Sequence, residues 1–127
     1  MESSYAIDTT ENLVRLKVWG ELTAEGLIEL MSRAGQDSRF VAGMSAIADY
    51  RDAHGDWDYS EIQRFRDYVV RIEVRGEVRW AAVVKPGKLV AVGHVLILIS
   101  EAVNARIRMQ LFEDPGTALR WIRGEIE

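Results

Sequence analysis

Asp49, Arg51, Asp52, His54, Asp56 and Asp58 form the densest run of polar side chains in the chain. A histidine beside a carboxylate can act as a general base, and a histidine with two aspartates can hold a hard metal ion. Neither chemistry is complete here. No matched nucleophile, glycine-rich phosphate loop or HExxH-type spacing accompanies the run, and the only other histidine is His94. Aspartates at such density are ordinarily turn formers and caps. Asp49, Arg51, Asp52, His54 and Asp58, with Ser60 just beyond, are therefore read as an interaction loop after a central strand. No catalytic residue, metal site or cofactor is expected, and the chain is not expected to be an enzyme.

Composition narrows the classes further. A length of 127 residues suits one domain with a substantial core. There is no cysteine, which excludes disulfides and thiolate chemistry and is compatible with a reducing compartment, so a cytoplasmic location is expected. The Met1-Glu2-Ser3-Ser4 start has neither a basic nor an apolar run and argues against a signal peptide. The most apolar stretch, Leu89 to Ile99, falls short of the roughly 20 residues that a membrane span requires. With 16 basic and 20 acidic residues, the net charge of −4 offers no field for a polyanion, so nucleic acid is not an expected partner. Arg64, Arg66, Arg71, Arg75 and Arg79 lie close together, but Glu61, Asp67, Glu73 and Glu77 are interleaved with them. Asp67 also stands four residues before Arg71, so the group reads as a solvated, ion-paired face.

These side chains must be placed by the elements around them. Tyr5 to Asp8 and Leu13 to Trp19 alternate across a turn-rich stretch and read as a hairpin that Gly20 ends. Thr23 caps a helix with Leu27, Ile28, Leu30, Met31 and Ala34 on one stripe, weakened in its first turn by Gly26. Phe40 anchors the loop that follows, and Met44 to Asp49 is a short buried strand. Ser60-Glu61-Ile62-Gln63 matches a capping box opening a helix with Ile62, Phe65, Val69 and Ile72 on one face, and Gly76 stops it. Val78 to Val84 is a second interior strand, closed by Lys85-Pro86-Gly87. Asn104 to Phe112 is the last strand. It leads into a short helix with Asp114 as N-cap, Pro115 at the first helical position, and Ala118, Leu119, Trp121 and Ile122 as its apolar face. The four tryptophans are spread over several elements and read as packing residues.

The run Lys88 to Val103 reads as a helix that is apolar almost all round. Leu89, Val92, His94, Leu96 and Ile99 mark it as a surface for a second copy of the chain or for an apolar ligand. Exposed apolar side chains in such number are rare on a soluble monomer. His94, set inside the run, is expected as a buried imidazole hydrogen-bonded to backbone.

The resulting order, β-β-α-β-α-β-α-β-α, is an α/β sandwich with a mixed sheet of five strands and about four helices. Three stretches of the chain carry a resemblance to a known family. These are Leu13-Val14-Arg15-Leu16-Lys17-Val18-Trp19-Gly20-Glu21-Leu22-Thr23, then Ala48-Asp49-Tyr50-Arg51-Asp52-Ala53, and Phe112-Glu113-Asp114 leading into Ala118-Leu119-Arg120-Trp121-Ile122. Together they resemble the SpoIIAA-like branch of the STAS fold, including small proteins described as STAS/SEC14-like. The resemblance implies helices mainly on one side of the sheet and a protein that works by binding. It also implies a phosphorylatable serine or threonine at the start of the helix after the central strand, between an aspartate and a glycine. Asp58-Tyr59-Ser60-Glu61 occupies that place, with Glu61 where the glycine would stand, and Ser60 is read as the plain N-cap. A non-catalytic binding or regulatory domain acting through protein contacts, as a homodimer, is the expected function. A carrier or sensor of a small apolar or lipid-like ligand is the alternative.

Overall fold

Alternating residues on either side of a Asp8–Asn12 turn close as an antiparallel pair, β1 (Glu2–Asp8) and β2 (Leu13–Glu21), with Ile7 opposite Val14 and Tyr5 opposite Leu16. The computed structural model, which describes residues 1–104 and 106–127, then alternates helix and strand: α1 (Ala24–Gln36), β3 (Ser45–His54), α2 (Tyr59–Arg71), β4 (Val78–Val83), α3 (Lys88–Val103), β5 (Ile107–Phe112) and α4 (Pro115–Ile122). The five strands lie in sequential order, β1-β2-β3-β4-β5, and all pairs after the first are parallel. A right-handed crossover repeated in one direction puts every connecting helix on the same side of the sheet. Accordingly, α1, α2 and α3 bury Leu27, Leu30, Phe65, Val69, Val92 and Leu96 against Val14, Leu16, Val18 and Ala48. The short α4 follows the last strand and takes the opposite face, where Ala118 and Trp121 cover Leu13, Ile47, Ala81, Val83 and Phe112.

Three strands extend beyond their expected ends, β1 by starting at Glu2 and not at Tyr5. β2 does not stop at Gly20: after a register shift between Lys17 and Trp19 it pairs Gly20 with Ala53 and Glu21 with His54. β3 consequently runs through Arg51, Asp52 and His54, residues expected in a loop. Pairing to a long neighbour holds these polar residues in a strand, because a strand that is solvated on one face needs no apolar run. Leu22 then staples the two strand ends together. Its N–H donates to the His54 carbonyl at 2.7 Å, and its carbonyl accepts from Trp57 Nε1 at 3.0 Å. Gly55 leaves room at this crossing, since a Cβ there would stand in tight contact, 3.0 Å from the Leu22 carbonyl oxygen.

That staple also moves the start of α2. Asp58, directly after the anchored Trp57, is the N-cap, and its carboxylate accepts from the Glu61 N–H at 2.9 Å. Ser60 is not the cap; it lies exposed within the first turn, and Gln63 donates to the Tyr59 hydroxyl instead of closing a capping box. Thr23 and Asp114 cap α1 and α4 as expected, accepting from Gly26 N and Thr117 N. β5 begins at Ile107 and not at Asn104, whose N–H closes the end of α3 on the Ser100 carbonyl. Ala105, part of that expected strand, lies outside the described residues.

The arginine group is also split by the fold. Asp67 pairs with Arg66 at 3.3 Å rather than with Arg71, and Arg79 points to the other face of the sheet, its guanidinium 5.2 Å above the Trp121 ring. Trp57 and Trp121 are buried and Trp19 and Trp80 half-buried, as packing residues should be.

The capping assignment makes a direct test. Asp58→Ala should cost about 1 kcal/mol of unfolding free energy, whereas Ser60→Ala should stay within about 0.5 kcal/mol. Urea denaturation of both variants measures this, and the reverse ranking would return the cap to Ser60.

Candidate functional site

The charged residues that drew attention in the sequence form a ladder on the open part of the sheet, on the α4 side but beyond its cover. Asp49 and Arg51 are two apart on β3 and so share a face. The Arg51 guanidinium grips the Asp49 carboxylate with both arms, at 3.0 and 2.8 Å, and the Arg51 N–H adds a third bond at 3.0 Å. These bonds hold Asp49 below the usual carboxylate range despite partial burial. Lys17 on β2 bridges Asp49 at 4.0 Å and Asp52 at 3.7 Å. The same clasp recurs at Asp37 and Arg39 after α1, where Asp37 also accepts from the Tyr5 hydroxyl.

His54 and Asp56 are exposed, Asp56 reaching Lys88 at 3.8 Å, and Asp58 is committed to its cap. Among the described residues, no three histidine, aspartate or glutamate side chains converge as metal ligands. The expected interaction loop is therefore dispersed over a strand, a short turn and a helix cap, and its charges largely satisfy one another.

What the sequence reading missed lies on the other side of the sheet. Inward positions of β3 carry Ala46, Ala48 and Tyr50, and β4 contributes Ala82 beside Trp80, where large aliphatic side chains would fill the layer. Between this floor and the helices α1 and α2 is a cavity of about 190 Å³, walled by Val14, Leu16, Met31, Phe65, Ile72 and Met109. Glu73 is the only charged side chain lining it among the described residues, and it is exposed. A smaller cavity of about 50 Å³ lies under α3, bounded by Leu89, Val92, Gly93 and Leu96. Tyr50, Phe65, Ala82 and Met109 border both. The available signal was the spacing of Ala46, Ala48 and Ala82: small residues at alternate, inward-facing strand positions.

α3 divides its apolar residues between two faces. Val92 and Leu96 are buried, so they belong to the core and not to an outer surface; Leu89 and Ile99 are half-buried. His94 is exposed, contrary to the expected buried imidazole, because it projects two positions from Val92 and Leu96 around the helix, about 200° away. The outer face carries Ala91, Val95, Leu98 and Ala102, with Leu98 71% exposed and Val95 40%. No helix among the described residues is long and apolar enough to cross a membrane.

No protein-family model matches the sequence, and no curated protein matches it. Among solved structures, the chain is similar to an uncharacterised protein of the DUF3478 family with a SpoIIAA-like fold, from Shewanella loihica. The TM-score is 0.61 at 16% identity, over 94% of this chain and 93% of that one. At that identity the likeness establishes the fold: this chain has a SpoIIAA-like α/β architecture.

The charged ladder predicts a pH signature. A carboxylate held below its ordinary pKa stabilises the native state above about pH 4, and the contribution is lost as pH falls through the lowered folded value. Asp49→Asn should therefore lower the urea midpoint at pH 6.5, by an amount worth less than about 1 kcal/mol for so exposed a pair. The deficit should shrink at pH 3.5. Equal deficits at both pH values would show that the charge of Asp49 does not stabilise the fold.

Proposed function

We propose that this SpoIIAA-like domain is a non-catalytic, cytoplasmic binding protein that takes a small apolar molecule between its helices and its sheet. The observation that carries this reading is the cavity over Ala46, Ala48 and Ala82. It is walled by apolar side chains, and its volume of about 190 Å³ is comparable to that of an apolar cavity able to hold benzene, roughly 150 Å³. An apolar occupant there would remove this lining from water without burying a charge. The open, ion-paired face supports no comparable proposal, since its acidic and basic groups already engage each other.

The test is toluene as a probe, with the melting temperature of the full chain as readout. Toluene should raise it, because a ligand that binds only the folded state stabilises by mass action. Ala48→Leu, which fills the cavity floor, should keep the fold and abolish the rise. An unchanged melting temperature in the wild type at millimolar toluene would refute the proposal.

A second reading, self-association through α3, is favoured by the arrangement of its outer apolar residues. Ala91, Val95, Leu98 and Ala102 follow a 4-3-4 spacing, the pattern of a seam that packs against another helix. Twofold symmetry lets the seam meet its own copy. Light scattering at low micromolar concentration should then report a dimer, and Leu98→Glu a monomer. A wild-type monomer would end this reading without touching the cavity.

A further inference from the structure

Resting on the cavity reading above, we propose that the ligand is an amphipathic anion, an apolar chain inside the fold that ends in a carboxylate or phosphate held at the surface by Lys85 and Lys88. The apolar interior has a charged neighbour. Tyr50 borders the larger cavity, the smaller one under α3 and an open depression of about 560 Å³ at the carboxyl ends of β3 and β4. Leu89 likewise borders the smaller cavity and the depression, so these two side chains form the wall that the interior shares with the opening. The depression is built by residues 53–56 and 85–89, with Arg51 at its side. Its sign is opposite to that of the chain: Arg51, Lys85 and Lys88 line it against Asp56 alone, with His54 beside them, whereas the chain as a whole carries −4.

Not all of these cations are available. Arg51 is held by Asp49 at 2.8 Å. Asp56 reaches Lys88 at 3.8 Å, an exposed pair of the kind worth little, and Lys85 makes no ion pair among the described residues. The two lysines, on either side of Pro86-Gly87, can therefore both take an anionic oxygen. α3 starts on the same wall with no side-chain cap and no acidic residue in its first turn, so the positive end of its dipole adds to theirs. The amino ends of the strands carry the other sign. There Glu73, just past the end of α2, is the only charged side chain lining the larger cavity among the described residues. An anionic head would be repelled at that end and, within the cavity, stripped of water with nothing to balance it. At the depression it stays hydrated and meets the lysines. One orientation follows, with the apolar part inside and the anion outside, past Tyr50 and Leu89.

Three probes with one chain and different heads test this on the full chain: octanoate, 1-octanol and octylammonium, titrated at neutral pH and low salt by NMR chemical-shift changes. Octanoate should bind the wild type about fivefold or more tighter than 1-octanol, the factor expected of one charge-assisted contact, and octylammonium more weakly than either. Octanoate should shift the amides of Ala46 and Ala48 together with those of residues 85–89. The double variant Lys85→Gln/Lys88→Gln, which changes only exposed side chains, should erase the preference with 1-octanol affinity unchanged. Equal binding of octanoate and 1-octanol overturns the head assignment and leaves the cavity reading standing; so does a preference that survives the double variant. Octanoate shifts confined to residues 85–89, with Ala46 and Ala48 unmoved, would show an anion bound at the surface alone and overturn the joint site. If neither octanoate nor 1-octanol binds, the amphipathic ligand is overturned, and toluene alone decides the cavity reading.

Discussion

Four parallel strands laid down in sequential order leave only one side of the sheet for the helices that join them. Each crossover is right-handed, so α1, α2 and α3 must share a face, and each must settle over the strands next to those its neighbours occupy. Three helices side by side cannot be drawn closer than their own side chains permit, about 8–10 Å between axes. Whatever room remains between them and the sheet is then set by the inward side chains of the central strands. β2 fills its share with Val14, Leu16 and Val18, whereas β3 supplies Ala46 and Ala48. The cavity is the difference between those two sets of residues. Close approach is also managed individually: Gly93 sits where a Cβ would fall 2.8 Å from a Leu111 methyl, which brings α3 down onto β5.

The opposite face has the complementary problem. Only α4 is left to cover it, and a helix of eight residues reaches only part of a five-stranded sheet. Trp121 supplies most of the cover, packed on Phe112 at 5.5 Å between ring centres, with the Arg79 guanidinium over its ring. Beyond its reach the sheet is solvated, and the residues there are the charged ones: Arg15, Lys17, Asp49, Arg51 and Asp52. A cluster that looks like chemistry in one dimension is, in three, the wet face of a strand. Alternation makes this unavoidable, because each apolar residue that β3 sends inward puts its neighbour on the outside.

This accounts for what the sequence disclosed. Element order and type follow from periodicity and punctuation, which are local, and so were legible: the hairpin, the apolar stripe of α1, the Pro86-Gly87 stop, and Asp114-Pro115 opening α4. Errors arose wherever a distant partner decided. β3 continues through Arg51 to His54 because β2 lies alongside it, and no local signal in that polar stretch announces a strand. Asp58 displaces Ser60 as the cap because Trp57 is tied to Leu22, 35 residues away. His94 is exposed because the direction in which α3 faces the sheet is set by Val92 and Leu96, a choice that a helix apolar on all sides does not reveal. The cavity was illegible for a related reason: Ala46 and Ala48 look like ordinary strand residues until the helices above them are fixed.

The apolar excess of α3 now has two causes rather than one. Its inner row, Leu89, Val92 and Leu96, closes the smaller cavity against the sheet, and its outer row, Ala91, Val95, Leu98 and Ala102, is left in solvent. Were the excess only a matter of core packing, the outer row would be mostly polar, as it is on α2, where Arg64, Arg66, Asp67 and Arg71 face water beside a single exposed Val70 while Phe65 and Val69 are buried. Were it only a matter of self-association, the inner row would not need to be apolar, yet Val92 and Leu96 are buried against the sheet. The two rows sit on one helix 16 residues long, so the same element that closes the smaller cavity on its inner side carries the apolar row on its outer side.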